Sequence, residues 1–137
     1  MEEYVAKHDL TNTIDQINSA IAKIKDRSVI DQLSILRTGL ETMKVAEIEL
    51  EHLTNEFHRG NLTTEVYLDR HKKLLFDYIS ARNGISGSIV PKIVEAEESV
   101  EARTRLSRFA SALAENKDFA FNLAQLVLTI IASHGIH

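Results

Sequence analysis

The stretch that decides the fold runs from Leu33 to Phe57 and reads LSILRTGLETMKVAEIELEHLTNEF. Its apolar residues recur at steps of three or four, which is the spacing of one face of an α-helix. The positions on this face are Leu33, Leu36, Leu40, Met43, Ala46, Leu50, Leu53 and Phe57. A second apolar line widens the face beyond the narrow seam of a two-stranded coiled coil. It consists of Val29, Ile35, Val45 and Ile48. The pattern predicts one long helix, from about residue 29 to residue 58, that packs on several neighbours.

Similar apolar spacing predicts four further helices, one before the long helix and three after it. They are expected at residues 13–26, 63–82, 91–116 and 119–133. The last of these is apolar almost all round, with Asp118 as its N-cap and Gly135 as its stop. No run alternates convincingly with a two-residue period outside residues 85–90. The sequence therefore predicts an all-α, five-helix bundle with an apolar C-terminal helix.

Turn residues divide this helical pattern at two places. Gly60 is well placed as a left-handed residue after the long helix, and Thr63 as the N-cap of the next, which predicts an antiparallel hairpin. Two Gly, two Ser and one Pro fall in residues 83–91, so residues 83–90 are predicted to be a linker. It separates a three-helix part (1–82) from a two-helix part (91–137). The latter is too short for a core of its own, so we expect a single domain over residues 1–137.

Composition excludes several classes of protein. The chain has 137 residues, 44% of them hydrophobic, a net charge of −4 and no Cys, so it is neither a disordered tail nor a disulfide scaffold. The N-terminal Met1 to Tyr4 lack a basic and apolar signal pattern. The apolar stretch 119–132 is shorter than the ~20 residues of a membrane span. We expect a cytoplasmic protein without the overall positive charge of a nucleic-acid binder.

A local resemblance lies in the predicted hairpin, over residues 53–75. The matching positions are Gly60, Leu62, Thr63, Glu65, Tyr67, Leu74 and Leu75. This segment resembles the helical hairpin of the SHOCT (short C-terminal) family, although there the hairpin normally closes a chain and here it lies in the middle. The resemblance implies a module that mediates interactions and contributes no catalytic residue.

Motifs for metal binding and catalysis are incomplete. Glu49 and His52 have the Glu-x-x-His spacing of di-iron bundles, with Glu56 on the same face, but such a site needs two of these motifs. There is no Gly-x-Ser-x-Gly, Gly-x-Gly-x-x-Gly or Walker loop. We therefore expect no metal, no cofactor and no enzymatic activity.

Charges on the predicted fourth helix run from acidic to basic, which suits either a solvated, dipole-stabilised face or a docking stripe. Together with the apolar last helix, this pattern predicts an interface. Its expected residues are Phe119, Phe121, Leu126, Ile130, Glu97, Glu101, Arg105 and Arg108.

The surplus of apolar helix faces favours a non-enzymatic interaction module that self-associates as a structural or accessory subunit. A phage or viral protein fits this profile. One alternative is a small acidic inhibitor or adaptor that uses Glu47, Glu49, Glu51 and Glu56. Another is a membrane-peripheral protein that uses residues 118–137. A third is a nucleic-acid accessory protein with a basic strip of Arg70, Lys72, Lys73, Arg103, Arg105 and Arg108.

Overall fold

The protein is an all-α helical bundle, as predicted. A computed structural model describes residues 7–134, with residues 7–9 described by their backbone alone. The helices are α1 (Lys7–Lys23), α2 (Arg27–His58), α3 (Thr64–Gly84), a π-helical turn (Ile85–Ile89), α4 (Val90–Ala96), α5 (Val100–Ala114) and α6 (Phe119–Ser133). Since α3, the π-helical turn and α4 follow one another without a break, the described residues form five helical rods. The N-terminal segment Met1 to Tyr4 and the predicted stop at Gly135 lie outside the described residues.

The long helix is confirmed as α2. It begins after Asp26, whose carboxylate accepts hydrogen bonds from the backbone N–H groups of Ser28 (3.0 Å) and Val29 (3.4 Å). Its buried side chains keep the predicted steps of three and four. They are Val29, Leu33, Leu36, Leu40, Met43, Ala46, Leu50 and Leu53. The first helix begins and ends earlier than the predicted 13–26, at Lys7 and Lys23, and Thr13 lies inside it and is buried.

The hairpin between α2 and α3 is also confirmed. Gly60 has a φ of +81°, the left-handed conformation that glycine adopts without a steric cost. The Thr63 hydroxyl caps α3 by accepting a hydrogen bond from the Val66 N–H at 3.2 Å. The rings of Phe57 and Tyr67 stack across the turn, with centroids 4.2 Å apart.

The prediction of a linker at residues 83–90, with α3 ending near Arg82, is wrong. The chain stays helical, and the Val90 N–H bonds to the Ile85 carbonyl five residues back, which widens the helix. A widened turn accommodates Pro91, which has no N–H and whose ring crowds the preceding turn of a regular helix. The continuous helix also buries Ile85 and Val90, which are both 0% exposed.

The break lies further along, and the predicted helix 91–116 is interrupted at residues 97–99. The Ser99 hydroxyl caps α5 by accepting a hydrogen bond from the Ala102 N–H at 3.3 Å. One carboxylate oxygen of Glu97 accepts from the Ser99 N–H at 3.3 Å, and the other accepts from the Ser133 hydroxyl at 3.1 Å. This turn thus connects the start of α5 to the end of α6. The last helix is confirmed at Phe119–Ser133, where Asp118 accepts from the Phe121 N–H at 3.3 Å.

One hydrophobic cluster holds these elements together, and it includes buried residues from all six α-helices and the π-helical turn. The contribution of α3 is small, because Tyr78 is its one buried residue. This imbalance leaves most of α3 at the surface.

Candidate protein-association surface

The part of the molecule with the least internal cover is the hairpin of α2 and α3. Within the described residues, α3 packs along α2 and the π-helical turn alone, apart from Arg82, whose guanidinium lies 4.9 Å from the centre of the Phe119 ring. The 17 residues of α1 are too few to follow all 32 residues of α2. We therefore call the segment from Thr38 to Ile79, which contains the paired parts of α2 and α3, the hairpin arm.

The outer side of the hairpin arm exposes apolar side chains on α3. Leu68 is 58% exposed, Phe76 69% and Ile79 46%, and Leu75 is half-buried beside them. At 100° per residue these four positions fall within an arc of about 100°. We call them the α3 stripe. Large apolar side chains that share one helix face and have no internal neighbour mark an interaction surface more strongly than single exposed ones do.

Polar contacts link the residues at the tip of the arm. One carboxylate oxygen of Glu56 accepts a hydrogen bond from the Asn61 side-chain amide at 2.5 Å, and the other pairs with Arg59 at 3.2 Å. These contacts lower the pKa of Glu56, mainly through the Asn61 hydrogen bond and then through the charge of Arg59, against an opposing effect of desolvation. These contacts connect the end of α2 to the turn that precedes α3.

The Glu56 contacts give a pH-dependent prediction. Because folding lowers this pKa, the stabilisation by Glu56 is present at neutral pH and is lost as the pH falls through the folded-state value, below the ordinary glutamate pKa of about 4.3. In thermal unfolding from neutral pH to about pH 3, the Tm difference between the wild type and Glu56→Gln should shrink towards zero. The charge-matched control is Glu95→Gln on the surface of α4. A Tm difference that grows with acidity would contradict the assignment.

Two open grooves follow the sides of the arm between α2 and α3. One has a volume of about 310 Å³ and is lined by residues of α2 from Thr38 to Glu49 and by Leu74 and Asp77 of α3. The other, of about 280 Å³, is lined by α2 residues from Glu47 to Asn55 and by His71. Carboxylates of α2 line both grooves. Of the predicted acidic patch, Glu49 therefore lies on one side of the arm, and Glu47 and Glu51 on the other.

The predicted apolar interface on the last helix needs a correction. Phe119, Leu126 and Ile130 are 4%, 0% and 1% exposed, so they belong to the core and not to a surface. They are covered because α6 packs against both α5 and α1. Phe121 is 55% exposed, and with Leu128 it forms a smaller apolar face on α6.

The predicted charged interface residues have different environments. Glu97 is half-buried and accepts hydrogen bonds from Ser99 and Ser133 within the chain, and its interface role stays a prediction. Glu101 and Arg105 are exposed and pair with each other at 3.2 Å, one helical turn apart. Such a pair stabilises its own helix by a few tenths of a kcal/mol, about 0.3–0.5. Arg108 is exposed as well, and an interface role for these three residues stays a prediction.

The other site classes have little support in the described range 7–134. No group of three or more His, Cys, Asp or Glu residues there could hold a metal ion. None of the helices in this range has the length and apolar character needed to cross a membrane. The basic residues of α3 and α5 stand on helices that do not pack against each other, and the nucleic-acid alternative stays a prediction.

The apolar pattern of the sequence predicts surplus apolar surface on α2 and α6, and part of that surface lies there. Ile35, Val45 and Ile48 of the second α2 line are 50%, 53% and 42% exposed. The α3 stripe was missed. Its signal is the helical spacing of Leu68, Leu75, Phe76 and Ile79, which lie beside Leu74 and Tyr78 on α3.

Comparisons of the chain with known protein families, with curated proteins and with solved structures find no match. The resemblance of residues 53–75 to the SHOCT hairpin therefore stays a prediction, although this segment does form an antiparallel helical hairpin.

Proposed function

We propose that this protein is a non-enzymatic association module that self-associates through the α3 stripe. The observation that supports the proposal is the exposure of Leu68, Phe76 and Ile79 on a helix whose packing neighbours are α2 and the π-helical turn. Each buried apolar side chain contributes about 1.5–3 kcal/mol when it is fully removed from water. Covering this stripe therefore stabilises the arm.

A second copy of the chain is the partner that the arm suits. An antiparallel two-helix hairpin buries only one seam, and two such hairpins placed side by side form a four-helix bundle in which both bury a second face. Charge does not oppose this pairing, because residues 64–78 contain three acidic and three basic side chains. Two copies of a neutral surface do not repel each other through net charge.

The expected dimer is weak. A standard protein interface buries about 800 Å² per partner, and the 21 residues of α3 span roughly 32 Å. The four residues of the stripe reach such an area only together with neighbouring side chains. We therefore expect association that depends on protein concentration instead of an obligate dimer.

Sedimentation velocity over a range of protein concentrations tests the proposal. The wild type should shift from monomer towards dimer as concentration rises, and the double variant Leu68→Ser with Phe76→Ser should stay monomeric. Val100→Ser is the matched control, since Val100 is 73% exposed on α5, away from the stripe. A wild type that is monomeric at every concentration would refute self-association. A stripe variant that still dimerises would refute this surface.

A further inference from the structure

We infer that the larger groove of the hairpin arm binds a lysine or arginine side chain presented by an amphipathic segment of a partner protein. This surface is distinct from the α3 stripe. The inference extends the proposed association function by naming the chemistry of a second kind of partner. We call the groove the acceptor groove, because of the groups that line it.

The floor of the acceptor groove is apolar. Val45, which is 53% exposed, and the buried Ala46 contribute from α2, and the half-buried Leu74 contributes from α3. Lysine and arginine have long apolar stems that pack along such surfaces while their charged ends remain near polar groups. The volume of about 310 Å³ is at the lower end for small-molecule pockets, so it suits one side chain better than a large ligand.

The rim of the groove is acidic and has no basic side chain. Glu41, Glu49 and Asp77 line it from both helices. Glu41 already pairs with Arg37 at 3.7 Å. Glu49 and Asp77 form no hydrogen bond or ion pair among the described residues, and thus their charge is available to a cation.

The hydroxyl groups of Thr38 and Thr42 favour a ligand that donates hydrogen bonds. Thr38 donates its hydroxyl proton to the Ser34 carbonyl at 3.1 Å, and Thr42 donates its proton to the Thr38 carbonyl at 3.1 Å. Each oxygen is left with lone pairs that can only accept. The polar side-chain groups of the lining, three carboxylates and two hydroxyls, are therefore all acceptors. An ammonium group offers three donors and a guanidinium offers five, with no acceptor to oppose the carboxylates.

The lysine or arginine side chain that enters the groove belongs to a segment of another protein. The described residues contain no group of ligands suited to a metal ion. The apolar surface also continues beyond the groove to Ile48, which is 42% exposed on α2. An amphipathic segment can place a basic side chain in the groove and apolar side chains beside it, whereas a free amine would leave that surface uncovered.

The test is a titration of the isotope-labelled protein with a synthetic amphipathic peptide of lysine and leucine, followed by NMR. The background is the Leu68→Ser, Phe76→Ser variant, so that self-association and peptide binding to the stripe are both removed. We expect shifts at Val45, Ala46 and Leu74 that weaken as salt is added. The double variant Glu49→Gln with Asp77→Asn should bind the peptide roughly three- to tenfold more weakly, which is the range for two exposed charge pairs.

The matched control is the pair Glu95→Gln and Glu98→Gln, which removes the same charge from exposed positions near the end of α4. It should leave the affinity unchanged. The inference is overturned by equal shifts with a peptide whose lysines are replaced by glutamates, or by unchanged affinity after Glu49→Gln with Asp77→Asn. Neither result affects self-association through the stripe, which is measured separately in the absence of peptide.

Discussion

Leu126→Ala should lower the free energy of unfolding by about 2–5 kcal/mol, the range for a leucine truncated inside a packed core. Leu126 is 0% exposed and belongs to the central hydrophobic cluster. The loss combines the transfer free energy of the missing methyl groups with the cost of the cavity they leave. For a chain of this size it should lower Tm by roughly 4 °C per kcal/mol. Urea unfolding followed by circular dichroism measures the change.

Leu128→Ala is the control for that measurement. It is the same substitution in the same helix, two residues away, but Leu128 is 42% exposed. Its effect should stay within about 1 kcal/mol, since less apolar area leaves water at this position. A loss at residue 126 as small as the loss at residue 128 would contradict the described orientation of α6 and would mean that Leu126 is a surface residue.

Gly39→Leu should lower the free energy of unfolding by about 1–3 kcal/mol, the typical cost of overpacking. A Cβ atom at Gly39 would lie 3.1 Å from Cγ1 and 3.2 Å from Cδ1 of Ile85, so the larger leucine meets the π-helical turn directly. Alanine is a better helix former than glycine by about 0.8–1 kcal/mol, and leucine exceeds glycine by slightly less. A net loss therefore has to come from the contact with Ile85.

A double-mutant cycle that combines Gly39→Leu with Ile85→Ala measures the free energy of this contact. The single Ile85→Ala variant should be destabilised, because Ile85 is 0% exposed. In the double variant the leucine can occupy the space that Ile85→Ala vacates. The free energies lost by the two single variants should therefore sum to more than the free energy lost by the double variant. Chemical denaturation of the four proteins gives the coupling free energy. Strictly additive losses would mean that Gly39 does not face Ile85.

Local sequence signals predicted several helix ends correctly, because those ends are stabilised by nearby residues. Asp118 and Thr63 cap their helices through side chains three residues from the N–H groups they bind. Gly60 ends the hairpin turn through its own backbone conformation. Contacts this short in sequence are visible in the sequence itself.

The errors arise where distant contacts override local preference. Residues 83–90 have the composition of a loop, but Ile85 packs beside Gly39, far away in sequence, and its burial keeps this segment helical. The break at residues 97–99 contains good helix formers, and it places Glu97 beside Ser133 at the end of α6, far away in sequence. Neither partner can be identified from periodicity.

The candidate surface was only partly predictable for a similar reason. An almost wholly apolar helix such as α6 shows no polar face, so the sequence cannot tell that Phe119 is covered and Phe121 exposed. The hairpin was predicted, but its lack of a third neighbour depends on where α1 ends in space. The exposure of Phe76 follows from that arrangement and not from its own neighbours in sequence.

Distance measurement between spin labels on two copies of the chain tests self-association through the α3 stripe most directly. The sequence has no Cys, so Lys73→Cys provides a unique labelling position on α3 beside the stripe, where the side chain is 75% exposed. Ser107→Cys on the exposed side of α5 is the control. At concentrations where the protein dimerises, labels at residue 73 should show a short intermolecular distance, set by the ~8–10 Å between packed helix axes plus the two label linkers. Labels at residue 107 should lie farther apart. A dimer with no short distance at residue 73, or with its short distance at residue 107, would contradict the account.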